Sequence, residues 1–475
     1  MRPMAVLQAV RPRMACGIPP IVRVQSLTDQ RIFDVTDSML IASGGEARIF
    51  EVPGNASLVA KLYHKPLPER GAKLRAMLAN PPQDPMSEQN HHSIAWPVDI
   101  LLLGGQKNVV AGFLMPKVTG MKRVMEFFNP KTRRQSCPCF NYFYLHRAAR
   151  NLATAVKAIH ERGYVIGDIN ESNILLSDRA LATLVDTDSF QVWDAEKGAI
   201  FRCRVGKPEF TPPELQGQKF AQINRMPHHD QFGLAVIFFQ LLMEGTHPYA
   251  GAYKGAGDPP PYEQRILSGH FPYGGSPRVP YDPAPAAPPF EILHPNLRHL
   301  FQRSFQDGYM DPKLRPDTQS WLWALEEAEN SLVTCWQNDQ HIYGSHLEQC
   351  PWCARTKLLG GRDPFPSLEA VKRGDHLKMP PRARQRHSPP PPQGLPVPKR
   401  IPPSSSTWNV PTLRKWIQPK GAKTWPHGPN NAAWQGLAMG IAGFWFCTNM
   451  SPALRSLGYL AGFMAIMLGI YGEYR

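Results

Sequence analysis

Residues 163–176, GYVIGDINESNILL, carry a carboxylate, Asp168, and an amide, Asn173, with four residues between them and an apolar run following. This pair suits phosphoryl transfer: the carboxylate can accept or orient a hydroxyl proton, while the amide oxygen binds a metal that bridges phosphates. Taken alone, the pair also reads as polar caps on a helix-to-strand turn. Its companions favour the chemical reading. LVDTDSF supplies Asp186 thirteen residues after Asn173, with Asp188 close behind, so a second metal-binding carboxylate is at hand. IASGGEARIF places Gly44 and Gly45 in a hairpin able to bring backbone N–H groups near phosphates. Lys61 follows in the next strand, LVAKLY, where its ammonium could reach the same phosphates.

The elements that must position these residues fall into two textures. Residues 31 to about 125 alternate short apolar runs with glycine turns (SMLIASGGEARIFEV, SLVAKLYH, AWPVDILLL, VVAGFLMPKV), which predicts strands with one helix, ERGAKLRAML, among them. From about residue 140 the pattern is helical, in FNYFYLHRAARNLATAVKAIHERG, HDQFGLAVIFFQLLMEG, LRHLFQRSF and DTQSWLWALEEAENSL. The expected class is therefore α+β, a small strand-rich lobe leading a larger helical one, with Asp168 near the junction. No internal repeat is visible.

In this order the residues resemble the protein kinase-like superfamily over residues 31–330. VAK resembles its strand-three lysine motif, GDINESN its catalytic loop and VDTDSF its magnesium-binding motif. FTPPEL resembles the Ala-Pro-Glu segment, FLMPKV the hinge, and HHDQFGLAVIFFQLLMEGTHPY the helix with a buried aspartate, here Asp230. The resemblance implies an ATP- and magnesium-dependent Ser/Thr-type protein kinase with a protein substrate. Asp168 stands in the base position, Lys61 positions phosphates, and Asn173 with Asp186 holds magnesium; Asp188 competes with Asp186 for that role. Gly44, Gly45, Met115, Lys117 and Val118 would cradle the nucleotide, and Arg315 would pair with Glu214. The departures are equally specific. Ile166-Gly167 replaces His-Arg before Asp168, which makes the chain a non-RD, divergent member. Asn170 replaces the catalytic-loop lysine, Ala42 and Ala47 replace two glycines, and the glutamate partner of Lys61 is open between Glu69 and Glu88. These departures keep a second class alive, a pseudokinase scaffold that binds nucleotide or partners without turnover. The motifs most resemble a divergent bacterial group whose members carry C-terminal metal-binding or helix-hairpin-helix modules. Some members are associated with a PP2C-type phosphatase and a von Willebrand A-type protein. No helix-hairpin-helix signature is present, so no nucleic-acid partner is expected.

The 475 residues exceed one core and carry a formal charge of +15, which favours anionic partners. The charge is uneven: residues 376–430 hold ten Lys or Arg and no Asp or Glu. The fifty prolines, about twice the usual share, crowd partly into the same stretch. Residues 361–430 thus read as a disordered basic linker, and residues 1–30 as poorly ordered. With no convincing secretory signal, a reducing cytosolic setting is expected and cysteines read first as metal ligands. Cys350-Pro-Trp-Cys353, with Cys335 upstream and His341 and His346 between, predicts a structural zinc-ribbon-like module over residues 331–360, with one of the two histidines as fourth ligand. Cys137 and Cys139 lack flanking ligands and read as structural. Finally, residues 432–450 and 457–471 are apolar and uncharged, which predicts a C-terminal transmembrane hairpin within 431–475 and a tether on the cytoplasmic face of a bacterial inner membrane.

Overall fold

The computed structural model describes residues 21–378, apart from 105, 107 and 108. Seven strands make one antiparallel sheet: β1 (Ile21–Ser26), β2 (Ile32–Thr36), β3 (Leu40–Ser43), β4 (Ala47–Val52), β5 (Asn55–Tyr63), β6 (Asp99–Leu103) and β7 (Val110–Pro116), in the order β2-β1-β6-β7-β5-β4-β3. Strand side chains alternate between faces, and here that alternation sorts two cores. Ala60 and Leu62 of β5 join Val22, Val24, Phe33, Val35, Phe50 and Val52 on one face. Val59 and Tyr63 turn to the other, and Lys61 lies between them on the same parity. That second face is covered by α1 (Pro68–Ala79) through Leu74 and Met77. Pro68 opens the helix, where its missing N–H removes no intrahelical bond. At Gly112 of β7, an added Cβ would come within 1.9 Å of the Lys61 carbonyl oxygen. Only glycine lets β7 lie against β5 at the lysine.

The second lobe is built on the helix Tyr142–Glu161. Asn141 caps it by accepting from the Phe143 N–H, and Leu145, Ala149, Leu152, Val156 and Ile159 form its buried stripe. The helix Pro227–Leu242 is apolar nearly all round and correspondingly buried, with Trp321 of the helix Thr318–Asn330 edge-on to Phe238. Between the lobes run a short sheet (Lys122–Arg123, Ile174–Leu176, Ala182–Leu184) and the segment leading to Pro227. The strand-then-helix order read from the sequence is the order found.

Two boundaries move. The stretch expected to be poorly ordered contains β1, whose residues IVRVQS pair with both β2 and β6. At the other end, the Cys/His segment is no separate module. Trp352 is fully buried against Tyr142 at 4.8 Å and Phe365 at 4.7 Å between ring centroids. Arg355 makes a buried ion pair with Glu244, and Arg133 stacks on Phe365. Residues 361–378, read as linker, therefore begin as part of the folded lobe. Among the described residues no helix is long and apolar enough to cross a membrane. The linker from residue 379 and the apolar stretches 432–450 and 457–471 lie outside the described residues.

Candidate active site

Asp168 sits in the loop between the helix Tyr142–Glu161 and the strand Ile174–Leu176. The loop is held from below by the buried Asp230, which accepts the N–H groups of Ile166 and Gly167, both at 2.7 Å, and faces His160 at 2.9 Å. Gly167 adopts φ +76°, and a Cβ there would meet Cys203 and Arg225 within 3 Å, so the position takes no side chain. Asn173 Nδ2 donates to the Asp168 carbonyl at 3.1 Å and to its Oδ2 at 3.0 Å. Asp168 Oδ1 is buried and has no partner among the described residues. Burial holds the Asp168 pKa above the usual carboxylate range, against the pull of Asn170 and Asn173. A carboxylate with one free oxygen and a raised pKa is the form expected of a proton acceptor.

The two aspartates of the DTD stretch divide their work. Asp186, at φ +61°, keeps a 40% exposed side chain at the cleft wall and pairs with Lys61 Nζ at 2.5 Å. Asp188 is only 10% exposed and is gripped by Lys61 through one oxygen and by the Tyr63 hydroxyl at 3.0 Å through the other. Lys73 of α1 donates to the Asp188 carbonyl at 2.6 Å. Burial pushes against ionisation of Asp188, but Lys61 and Lys73 outweigh it and hold its pKa low. Burial likewise disfavours the Lys61 charge, which Asp188 and Asp186 restore, raising its pKa above the ordinary lysine value. Lys73 pairs with no carboxylate among the described residues, and burial lowers its pKa to about 8.

All these groups line one cleft of about 840 Å³, together with Gly44, Gly45, Met115, Lys117 and Val118. Every residue expected at the nucleotide and metal positions is thus brought to one cavity. Two details differ from expectation. The Gly44 N–H is engaged by the Ala47 carbonyl at 2.9 Å and the Lys117 N–H by the Ser57 carbonyl at 2.8 Å, so neither is free for a ligand. Neither Glu69 nor Glu88 partners Lys61: Glu69 pairs with Arg204 at 2.8 Å, and Glu88 is exposed in the turn Ser87–Gln89. The lysine takes its counter-charge from Asp186 and Asp188 instead, which are fixed in place by the same strand-to-turn geometry.

Comparison with known proteins finds relatives named as protein kinases. No family model matches the chain. "Protein kinase YegI" of Escherichia coli K12 is 34% identical over 319 residues, 66% of this chain and 48% of the relative. The protein of the same name from Escherichia coli O157:H7 is 34% identical over 325 residues, 67% of this chain and 49% of the relative. The chain spans about half the length of these curated relatives. The chain belongs to the protein kinase-like superfamily. A more distant relative, "Ovarian-specific serine/threonine-protein kinase Lok" of Drosophila melanogaster, is 27% identical over 193 residues, 38% of this chain and 33% of that one. A solved structure described as the ROP18 kinase domain in complex with AMP-PNP and sucrose overlaps 65% of this chain and 82% of its own at a TM-score of 0.41 and 18% identity.

Within this kinase-like frame the structure adds residues that sequence reasoning missed. Lys73 and Tyr63 complete the cage around Asp188, and Arg225 fills the space above Gly167. Arg225 is buried and donates to the Val205 carbonyl at 2.6 Å and to Cys203 Sγ at 3.8 Å, so it binds the segment after Asp188 to itself where it lies against Gly167. The resemblance-derived pair is present: Arg315 meets Glu214 through both guanidinium nitrogens, at 2.6 and 2.7 Å.

The second chemical cluster lies on the helical lobe. Cys335, His341, Cys350 and Cys353 bring their ligand atoms within 4.8 Å of one another. Cys335 and Cys353 sulfurs are 3.7 Å apart, and His341 Nδ1 lies 3.6 Å from Cys350 and 3.4 Å from Cys353. Metal–sulfur bonds of about 2.3 Å in a tetrahedron give edges of about 3.7 Å, so the donor set and its spacing fit zinc. His341 Nε2 is held by Asp363 at 2.9 Å, an orienting carboxylate that sequence reasoning did not find. His346 is excluded from the cluster: its Nε2 bonds to the Glu291 carbonyl at 3.0 Å. Cys137 contacts Lys122 at 3.4 Å and joins no metal cluster among the described residues.

Proposed function

We propose that this chain is a Ser/Thr-type protein kinase, transferring the γ-phosphoryl group of ATP to a protein hydroxyl. One observation carries the reading: Asp168, Asn173, Asp186 and Lys61, supplied by separate loops and strands, converge on one cleft, with Asp168 Oδ1 unpartnered. The kinase names of the bacterial relatives support it. In the reaction Asp168 orients the acceptor hydroxyl and receives its proton, while Lys61 positions the phosphates. The Val118 N–H and the hinge carbonyls are the backbone groups for the nucleobase. Asn173 Oδ1 and Asp186 are the donors that would hold magnesium, which neutralises phosphate charge when bound. Asp188 is already enclosed by cations and a hydroxyl, so Asp186 is the better metal ligand. Incubating the full chain with magnesium and labelled ATP, beside Asp168→Ala, is the direct test. Equal incorporation by both proteins would end the enzyme reading.

A pseudokinase scaffold is the rival, favoured by Lys61 already pairing with Asp186, the residue a metal would need. Magnesium-nucleotide binding without any transfer would select it. The Cys/His cluster is read as a structural zinc site, and equimolar zinc in protein purified without chelator is the expected result. The resemblance further suggests a PP2C-type phosphatase and a von Willebrand A-type protein as partners, to be sought by co-purification. Residues 431–475 are proposed as a membrane hairpin placing the kinase on the cytoplasmic face, the ten linker cations facing an anionic leaflet. Full-length protein that fractionates as a monodisperse soluble species would rule the tether out.

A further inference from the structure

Resting on the phosphoryl-transfer reading above, we propose that Lys207 is a further catalytic residue, the cation that binds the transferring phosphoryl group at the Asp168 end of the cleft. Transfer spreads negative charge over three phosphoryl oxygens, and a positioned cation there acts on the transition state. The deep cations are committed elsewhere, Lys61 to Asp186 and Asp188, and Lys73 to the Asp188 carbonyl. The catalytic loop offers no cation of its own. Asn170 is uncharged and 1% exposed, and both ends of its amide are engaged, Oδ1 by the Ser172 N–H at 2.9 Å and Nδ2 with the Asp168 carbonyl at 3.0 Å. Arg225 is buried and tied to Val205 and Cys203.

Lys207 lies just before the turn Pro208–Phe210, and its side chain turns back to the catalytic loop. Its backbone carbonyl accepts from the Phe210 N–H at 3.0 Å and from Thr211 Oγ1 at 2.8 Å, which fixes where the side chain starts. The side chain then reaches the catalytic loop, where Nζ donates to Glu171 Oε1 at 2.6 Å and to Ser172 Oγ at 3.0 Å. Ser172 is one of the residues lining the cleft, as are Asp168 and Asn173. An ammonium has three donors, and the third meets no acceptor among the described residues. The side chain is 39% exposed, so the ammonium remains open to solvent beside the catalytic loop. In the step it serves, the acceptor hydroxyl oxygen forms a bond to the γ-phosphorus. The bond from that phosphorus to the bridging oxygen breaks with its electron pair leaving on ADP, and the hydroxyl proton passes to Asp168. Lys207 follows the phosphoryl oxygens through this exchange and donates to them.

The test is calorimetric binding of magnesium-ADP to the full chain, with and without aluminium fluoride, which mimics the phosphoryl group in flight. Lys207→Ala should leave magnesium-ADP affinity unchanged and lose about 100-fold of the tightening that fluoride confers. In turnover it should lower kcat by a similar factor at unchanged KM for ATP. Lys207→Arg should restore most of the tightening because the charge is kept. Glu171→Gln breaks the ion pair but keeps the lysine, and should retain the tightening. Wild-type tightening in Lys207→Ala would overturn the inference. So would equal losses in Glu171→Gln and Lys207→Ala, or loss of ADP binding by Lys207→Ala, since either marks a structural bridge. Wild-type protein that binds no magnesium-ADP would overturn the kinase reading itself, and this inference with it.

Discussion

The cleft and the Cys/His cluster both gather groups that bind cations, and they differ in what they leave open. In the cluster, four ligand atoms face one another, the far nitrogen of His341 is held by Asp363, and the neighbouring Trp352 is fully buried. Nothing in that arrangement leaves room for a substrate, as expected of a structural site. In the cleft, Asp168 Oδ1 lacks a partner among the described residues and Asp186 is 40% exposed, while Asp188, two residues away, is enclosed. One short stretch therefore holds both kinds of carboxylate: Asp186 pairs with Lys61 yet stays open to the cleft, and Asp188 is enclosed by Lys61 and Tyr63. The contrast teaches that exposure and partner count separate working from anchoring carboxylates better than sequence position does.

The sharpest way to break that contrast is to neutralise each carboxylate in turn. Asp186→Asn should reduce phosphate transfer by at least about 1,000-fold, because electrostatic positioning supplies most of this catalysis. Its folding stability should barely change, since the side chain is substantially exposed. Asp188→Asn should also lose activity, but it leaves buried Lys61 with Asp186 alone and removes the negative charge beside buried Lys73. A destabilisation of about 3 kcal/mol is expected, read from denaturant unfolding. Two variants with the same stability loss would collapse the distinction.

The cluster is probed next. Chelation should lower the thermal midpoint of the whole kinase-like lobe, because Trp352 and Phe365 pack on Tyr142 of its central helix. Asp363→Ala should weaken zinc affinity about 10–100-fold, the usual cost of losing an orienting carboxylate. His341→Ala should abolish stoichiometric metal, and His346→Ala should change neither metal content nor midpoint. Retention of zinc by His341→Ala would return the fourth ligand to question.

A smaller effect is expected from pH. Burial raises the Asp168 pKa, so the carboxylate is protonated at a higher pH than a solvated aspartate, whose pKa is about 3.9. Protonated Asp168 cannot receive a proton, and kcat should fall as pH drops through that raised value. A pH–rate profile whose acid limb lies at or below the solvated value would contradict the buried environment.

How much of this was legible beforehand follows from the range of each interaction. Lys61, Asp168, Asn173 and Asp186 are marked by neighbours in sequence, because strand parity and a tight loop are local properties. The strand Ile21–Ser26 also alternates visibly, yet Pro19 and Pro20 directly before it read as loop. Lys73 with Asp188, Arg225 with Gly167, and His341 with Asp363 join residues far apart in the chain, and no periodicity announces such pairs. Spacing alone could not choose between His341 and His346. The choice depends on the strand Ile342–Gly344, which carries the chain away from the cysteines before His346.

The smallest effect expected is none at all, and it follows from the space above the catalytic loop. In the kinase-like frame, an arginine just before the catalytic aspartate would receive a phosphate placed on the following segment, and here that residue is Gly167. Its positive φ and the closeness of Cys203 and Arg225 leave no room for a side chain. Arg225 takes over the tethering, but it donates to a neutral carbonyl, that of Val205, and contacts the buried Cys203. The segment is thus held without phosphate, and Lys207 is already on the catalytic loop. A phosphate added there would find Arg225 buried and occupied, so the phosphate-to-arginine switch has no receptor. If the proposed transfer is present, treating the purified protein with a phosphatase should change its rate by less than about two-fold, an effect too small to reflect loss of even one charge-assisted hydrogen bond. Arg225→Ala, by contrast, should loosen the segment and lower the rate while leaving nucleotide affinity intact. A phosphatase that silences the transfer would show that some other cation receives the phosphate, and that the hold through Arg225 is not sufficient.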